Sequence, residues 1–328
     1  MYKKFIVDSE DRLDKFLSKN LEDSRNQILQ LIKKNLVKVD NKTIDKNGYK
    51  LKENQTVEVE IPKPEEIKIK SPEYLLDFFK DFEIKIIYED EDILVLNKPA
   101  NLTVHEASSV KEPTLVDWLK LKNFSLSTIS GELRHGIVHR LDKGTSGILV
   151  IAKTNEAHQN LSKEFENRNI GRYYLAIIDL ALKDNVVINR PIARNPNNRL
   201  KMGIVENGKD AKTAFCKIES SNNQKYELIA CKLFTGRTHQ IRVHLNSISR
   251  HILGDTLYGF KSELSKINRI FLHAYYLEFM HPIKKTNLCF KADIPKDIEN
   301  FIDINFSKEI IDEKINPAKL TDSFSFVS

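Results

Sequence analysis

The sequence predicts an α+β protein built around a mainly antiparallel, mixed sheet. Three observations carry this expectation. Strand-like apolar segments come in runs, with helices isolated among them instead of alternating regularly with strands. The length, 328 residues, suits about two domains, each able to bury its own core. The composition is that of an ordinary soluble protein, 41% hydrophobic and 30% charged, and no apolar run approaches the roughly 18 residues that span a bilayer.

The first unit is expected over residues 1–62. Leu13, Phe16 and Leu17 recur at helical spacing, as do Ile28, Leu31, Ile32 and Leu36, with Ser24 and Gln27 in capping-box register before the second set. "LVKVDNKT" and "QTVEVEIP" read as strands, the second alternating Val57, Val59 and Ile61. Prolines 62, 64 and 72 mark a linker over residues 63–83 that holds a short helix, Tyr74–Phe79. The second unit is expected over residues 84–305. "IKIIYEDEDILVLNKPANLTVH" reads as two strands and a loop, "TLVDWLKLK" as a helix, and "GIVHRLDKGTSGILVIAKT" as strand, loop and strand. A helix opened by Thr154 or Asn155 follows, then strands at "RYYLAIID", "KTAFCKIES", "YELIACKLF" and "LHAYYLEFMHP". Residues 306–328 read as a loosely held tail.

Charge and cysteine content narrow the function. Net charge is +6 with a pI of about 8.9, which permits a nucleic-acid partner. Arg25, Lys33, Lys34, Lys38 and Lys42 gather on the second helix and the strand after it, either as a phosphate-binding patch or as a solvated face. The three cysteines, Cys216, Cys231 and Cys289, are too scattered for a disulfide framework or a metal knuckle. The N-terminus lacks the apolar region of a secretory signal, so a cytoplasmic location is expected.

Two polar clusters carry the candidate chemistry. "GIVHRLDKGTSG" concentrates His139, Arg140, Asp142, Thr145 and Ser146 between glycines. Such residues build turns for backbone reasons alone, but "TGRTHQIRVH" brings a second concentration, Arg237, His239, Gln240, Arg242 and His244, at a strand-to-helix corner. A carboxylate gripped by arginine stays oriented, which suits a nucleophile or base. "HRLD" is not the kinase H-R-D, and no glycine-rich phosphate loop accompanies it. Ser146, His239 and Asp142 are the residue types of a hydrolase triad, but "GTSGI" lacks the G-x-S-x-G elbow. His239 and His244 are out of H-E-x-x-H register.

Taken in order, "YEDEDILVLNKPANLTVH", "GIVHRLDKGTSGILVIAKT", "RYYLAII", "TGRTHQIRVHL", "GDTLYG" and "LHAYYLEFMHP" resemble the RluA-type pseudouridine synthases over residues 84–302. The N-terminal unit is similar to the small αL RNA-binding module, also found in a small-subunit ribosomal protein, that many of these enzymes carry. The resemblance implies the pseudouridine synthase α+β fold with a central cleft. It implies that Asp142 initiates transfer of the uracil–ribose bond from nitrogen to carbon, and that Arg140 helps displace the target uridine. Tyr174 is implied to pack on the flipped base, and Arg237 to salt-bridge Asp142. Lys33, Lys34 and Arg25 become candidate RNA contacts.

No cofactor and no metal are implied, and the partner is RNA, ribosomal RNA or a ribosomal assembly intermediate by preference. Transfer RNA, or a non-catalytic role in ribosome assembly, are the alternatives. The sequence departs from the family at Asn101, where glycine usually follows "NKPA", at His251-Ile252 before "LGD", and at Asn54-Gln55 before the last strand of the small module.

Overall fold

A computed structural model describes residues 2–21, 25–61, 70–106, 110–131, 134–259 and 267–327, the side chains of residues 25–27 and 30 excepted. The chain divides into two compact units, Met1–Lys70 and Ser71–Ser328.

In the first unit, β1 (Tyr2–Ile6) and β2 (Asp11–Arg12) precede α1 (Leu13–Leu21) and α2 (Arg25–Lys33). Four strands follow: β3 (Val37–Val39), β4 (Lys42–Thr43), β5 (Lys50–Leu51) and β6 (Thr56–Glu60). One antiparallel sheet runs β1-β6-β3-β4, and β2 pairs with β5. Leu13, Phe16, Leu17, Ile28 and Ile32 turn one face of each helix onto Val37, Val39, Val57 and Val59, so helical and strand periodicities bury the same small core. "LVKVDNKT", expected as one strand, is a hairpin. Asp40 and Asn41 take φ of 48° and 65°, the left-handed pair that a tight two-residue turn demands. Ser24 of the expected capping box lies outside the described residues.

The second unit opens with α3 (Pro72–Phe79), capped by Ser71, whose hydroxyl accepts from the Tyr74 N–H at 3.2 Å. Strands β7 (Lys85–Glu89) and β8 (Ile93–Lys98), helix α4 (Leu115–Leu121), strand β9 (Ser146–Ala152), helix α5 (Asn155–Glu166) and strand β10 (Gly171–Ile178) follow. Thr154 caps α5, accepting from Ala157 N–H. Next come β11 (Val186–Asn189), the hairpin of β12 (Ile192–Arg194) and β13 (Met202–Ile204), β14 (Lys212–Ser220), β15 (Glu227–Leu233) and α6 (Gln240–Asn246). Strands β16 (Leu272–Met280) and β17 (Asn287–Lys291) and helices α7 (Lys296–Asn305), α8 (Lys308–Lys314) and α9 (Pro317–Asp322) complete the unit.

The main sheet runs β11-β14-β15-β10-β16-β9-β8-β7, with β17 on β16. Every pairing in it is antiparallel except the short parallel contact of β16 with β9. That contact puts His273 opposite Ser146 and brings the Asp142 loop to the middle of the sheet. Strands β8 and β9 are apolar without interruption because both faces are covered: Leu94, Leu96, Leu149 and Ile151 enter one core, Ile93, Val95, Ile148 and Val150 the other.

Two sequence expectations need correction here. "GIV" before the polar loop is not a strand; it makes a single bridge, Ile137 to Ile151. Nor is the stretch after Phe306 loosely held. Helices α8 and α9 and the residues that follow them bury Ile311, Ile315, Leu320 and Phe324 in the larger core, and the Phe324 ring lies 5.7 Å from that of Tyr173.

Candidate active site

The Gly136–Gly147 loop is fixed from several sides. Leu141 is buried in the core. The Thr145 N–H returns to the Asp142 carbonyl at 3.0 Å. Gly147 has φ of 115°, and a Cβ there would lie 2.1 Å from the Ala274 carbonyl oxygen, so no other residue fits the close β9–β16 approach. His139 stacks on Phe165 at 4.6 Å, and its Nε2 accepts from Val150 N–H, which requires a neutral ring; burial pushes that imidazole down to about 3. Behind the loop sits Lys98, fully buried, whose ammonium donates to the carbonyls of Pro99, Leu102 and Lys143. Burial, reinforced by the charge of Arg269, lowers the Lys98 pKa to about 7. Asn101 has φ of 64° and donates to the Asn268 carbonyl, so it holds the left-handed turn that asparagine tolerates.

Ser146 belongs to a different network from the one a hydrolase would need. It lies 2.8 Å from Nδ1 of His273 and accepts from Nη2 of Arg269 at 2.7 Å. His239 is 3.0 Å from the Tyr258 hydroxyl instead. No triad of Ser146, His239 and Asp142 is assembled.

Asp142 reaches the cleft with its side chain 17% exposed, and Nη1 of Arg242 donates to its Oδ2 at 3.1 Å. Arg242 is 6% exposed. Its Nε and Nη2 bind both oxygens of Asp255, a carboxylate only 1% exposed, at 2.7 and 2.9 Å. The same guanidinium lies over the Tyr258 ring, 4.9 Å from its centroid. The ion pair expected of Arg237 is therefore made by Arg242. The corner explains the exchange. Gln240 is buried and pins the turn, donating to Lys212 O and Thr213 Oγ1 and accepting from Arg237 N–H and Thr235 Oγ1. His239 follows a left-handed φ of 56° into α6, so Arg242 lies one turn inside the helix and faces Asp142. Arg237 stays at the rim, its Nε donating to the Asp210 carbonyl at 2.9 Å.

Tyr174 lies across the cleft on β10, between Cys231 and Ala274 of the flanking strands, buried to 6% exposure. Burial pushes its phenol up to about 12, so it stays protonated at neutral pH. Arg140 is exposed at the cleft wall. The cavity, about 550 Å³, is lined by Asp142, Tyr174 and six arginines (134, 140, 168, 172, 237 and 242), against the carboxylates of Asp142 and Glu166. A polyanion is the natural occupant of such a cleft.

In the first unit, Lys33 ends α2 and Lys34 follows it, both exposed. The side chain of Arg25 lies outside the described residues. Sequence reasoning missed Lys98, Asp255, Tyr258 and Arg172 as parts of the site; Asp255 and Tyr258 were in view within "GDTLYG". Among the described residues, Asp90, Asp92 and His281 are close enough to share a metal. There Oδ2 of Asp90 is already met by His281, Lys284 and Tyr88, each at 2.8 Å.

Known proteins match both units. The family described as RNA pseudouridylate synthase matches residues 92–247, and the S4 domain matches residues 11–57. An uncharacterized RNA pseudouridine synthase of Helicobacter pylori strain 26695 is 46% identical over 99% of both chains. The ribosomal large subunit pseudouridine synthase D of Zymomonas mobilis is 42% identical over 67% of this chain and 72% of its own. The solved structure of human RNA pseudouridylate synthase domain containing 1 superposes with a TM-score of 0.54 at 26% identity, covering 65% of this chain and 84% of that one. Among the described residues, no helix is long and apolar enough to cross a membrane. With its mixed sheet, its arginine-lined cleft and an S4 domain ahead of them, the chain belongs to the RNA pseudouridine synthases, the isomerases that turn uridine into pseudouridine within RNA.

Proposed function

We propose that the chain isomerises uridines of large-subunit ribosomal RNA, in the cytoplasm, and that Asp142 initiates the reaction. The observation that carries this reading is the ion pair of Asp142 with Arg242 at the floor of a cleft lined by six arginines.

The isomerisation breaks the bond between N1 of uracil and C1′ of ribose and forms one between C5 and C1′. C5 gives up its proton and N1 ends protonated, so no oxidant or group donor is consumed. Uracil must first leave its stack, at a cost of a few kcal/mol. Arg140 at the cleft wall takes the vacated place in the RNA. Tyr174 packs against the flipped base, and stacking of this kind is worth about 1–3 kcal/mol. Arg242 contributes orientation and preorganised electrostatics at the Asp142 carboxylate. The S4 domain supplies exposed Lys33 and Lys34, together with Arg25, for the RNA backbone. The large-subunit substrate is supported by the name of the Zymomonas mobilis relative.

Mapping of pseudouridine across all cellular RNA, with and without the gene, tests the substrate. Signals lost from large-subunit ribosomal RNA are expected; signals lost only from transfer RNA would move the assignment there. Asp142→Asn tests the chemistry. It should bind RNA as the wild type does and form no product, and a variant that still converts uridine overturns the role of Asp142.

A further inference from the structure

Three arginines of the described chain are buried, and two of them are fully engaged. Arg242 holds Asp142 and Asp255; Arg269 holds Ser146, the Leu272 carbonyl and Asp297. Arg172, on β10 two residues before Tyr174, is the third. It is 6% exposed, lines the active cleft beside Tyr174, and its Nε has no hydrogen-bond partner. Among the described residues no carboxylate pairs with it. The Phe165 ring lies 5.4 Å from the guanidinium carbon. Gly236 also stands close: a Cβ there would come within 2.8 Å of Nη1, so the absent side chain leaves the guanidinium room at this point.

Leaving a buried charge unpaired costs several kcal/mol. The fold meets that cost for Arg242 and Arg269 with carboxylates and does not for Arg172. Burial depresses its pKa, an effect that neighbouring Tyr174 opposes and the nearby charge of Arg237 reinforces. An arginine remains charged even so. The compensating group must therefore come with the substrate, and in RNA the anion is the phosphodiester. Neutral carbonyl oxygens of uracil would satisfy the N–H groups but leave the charge uncompensated.

We propose that Arg172, with Arg237 at the rim beside it, forms a phosphate seat inside the active cleft that takes a backbone phosphodiester of the flipped uridine. The seat anchors the sugar–phosphate on one side while Tyr174, on the same face of the strand, packs against the base. This rests on the reading of the cleft as the pseudouridylation site.

The test is pseudouridine formation by the full chain on total cellular RNA from a strain lacking the gene, over a series of salt concentrations, for the wild type, Arg172→Gln and Arg172→Lys. Arg172→Gln should lower kcat/KM at least tenfold, with most of the loss in KM. It should also make the dependence of log kcat/KM on log salt shallower by about 0.7, the share of one single-strand phosphate. Arg172→Lys should keep the wild-type slope, because an ammonium still neutralises a phosphate. Arg172→Gln should melt at or above the wild-type temperature, since it removes an uncompensated charge.

An active wild type with an unchanged slope in Arg172→Gln overturns the seat, including the case in which activity falls because uracil carbonyls were the partner. Loss of folding in Arg172→Gln makes the residue a structural member and overturns it as well. A wild type that makes no pseudouridine on any RNA overturns the parent reading, and the seat with it.

Discussion

Arg242 bridges two carboxylates, donating Nη1 to Asp142 at 3.1 Å and closing Nε and Nη2 on Asp255. One contact faces the cleft and the other is buried, so a single substitution disturbs both reactivity and folding. Arg242→Met leaves the Asp255 carboxylate without its partner at 1% exposure and should cost about 3–5 kcal/mol. Adding Asp255→Asn removes the stranded charge and should return much of that stability in urea titrations. Product formation should stay about 10²–10³-fold down in both, because Asp142 is no longer held. A double variant that regains activity would show that the Asp142 contact is dispensable.

Arg237 separates from Arg242 in the same assay. Its Nε is engaged with the Asp210 carbonyl, away from Asp142. Arg237→Ala is expected to raise KM with less than a tenfold loss in kcat, whereas Arg242→Met loses kcat. Equal kcat losses in the two would restore Arg237 as the partner of Asp142 during turnover.

The pH dependence of folding should carry the signature of His273. Its ring is fully buried, with Nδ1 2.8 Å from the Ser146 Oγ that also accepts from Nη2 of Arg269. Burial, and then the charge of Arg269, push this histidine down to about 3. Unfolded, it titrates near 6.5. Between those values the unfolded chain binds a proton that the folded chain does not, so stability falls as pH drops from 6.5 toward 3. One such group contributes up to about 1.4 kcal/mol per pH unit. His273→Gln should flatten the unfolding free energy between pH 6.5 and 4 by that amount; an identical slope would show that the ring protonates in place.

The C-terminal helices can be weighed directly. Leu320 in α9 has no exposed surface, and Leu320→Ala should cost about 2–5 kcal/mol in urea denaturation. A change below 0.5 kcal/mol, about the size of an ordinary surface effect, would return the segment to a loosely attached tail.

What was legible in the sequence was what is local. The Asp142 loop announces itself because its glycines, histidine, arginine and aspartate are contiguous, and the strands of the main sheet because both faces are apolar. The choice between Arg237 and Arg242 was not local. Both sit in "TGRTHQIRVH", and the left-handed His239 together with the buried Gln240 decides which one faces the cleft. Arg172 was hidden differently: nothing in "GRYYLAII" sets it apart, and its burial, with the Phe165 ring against it, comes from the tertiary packing. The tail carried a usable signal, Ile311 and Ile315 at helical spacing and Asn316-Pro317 at a helix start, but each helix is too short for periodicity to stand out.

The S4 domain makes the remaining prediction, because its basic face could be either an RNA contact or an ordinary solvated helix end. Lys33 and Lys34 are exposed, and no ion pair ties either of them among the described residues. If both meet phosphates, replacing both with glutamine removes two released counterions. The slope of log Kd against log salt should then flatten by about 1.4 on single-stranded RNA and about 1.8 on duplex. The reaction at saturating RNA should be unaffected, since neither residue is among those proposed for the chemistry. Filter-binding titrations from 50 to 300 mM salt, run beside single-turnover kinetics, read both quantities. An unchanged slope would assign the two lysines to solvent and leave RNA capture to the arginines of the cleft.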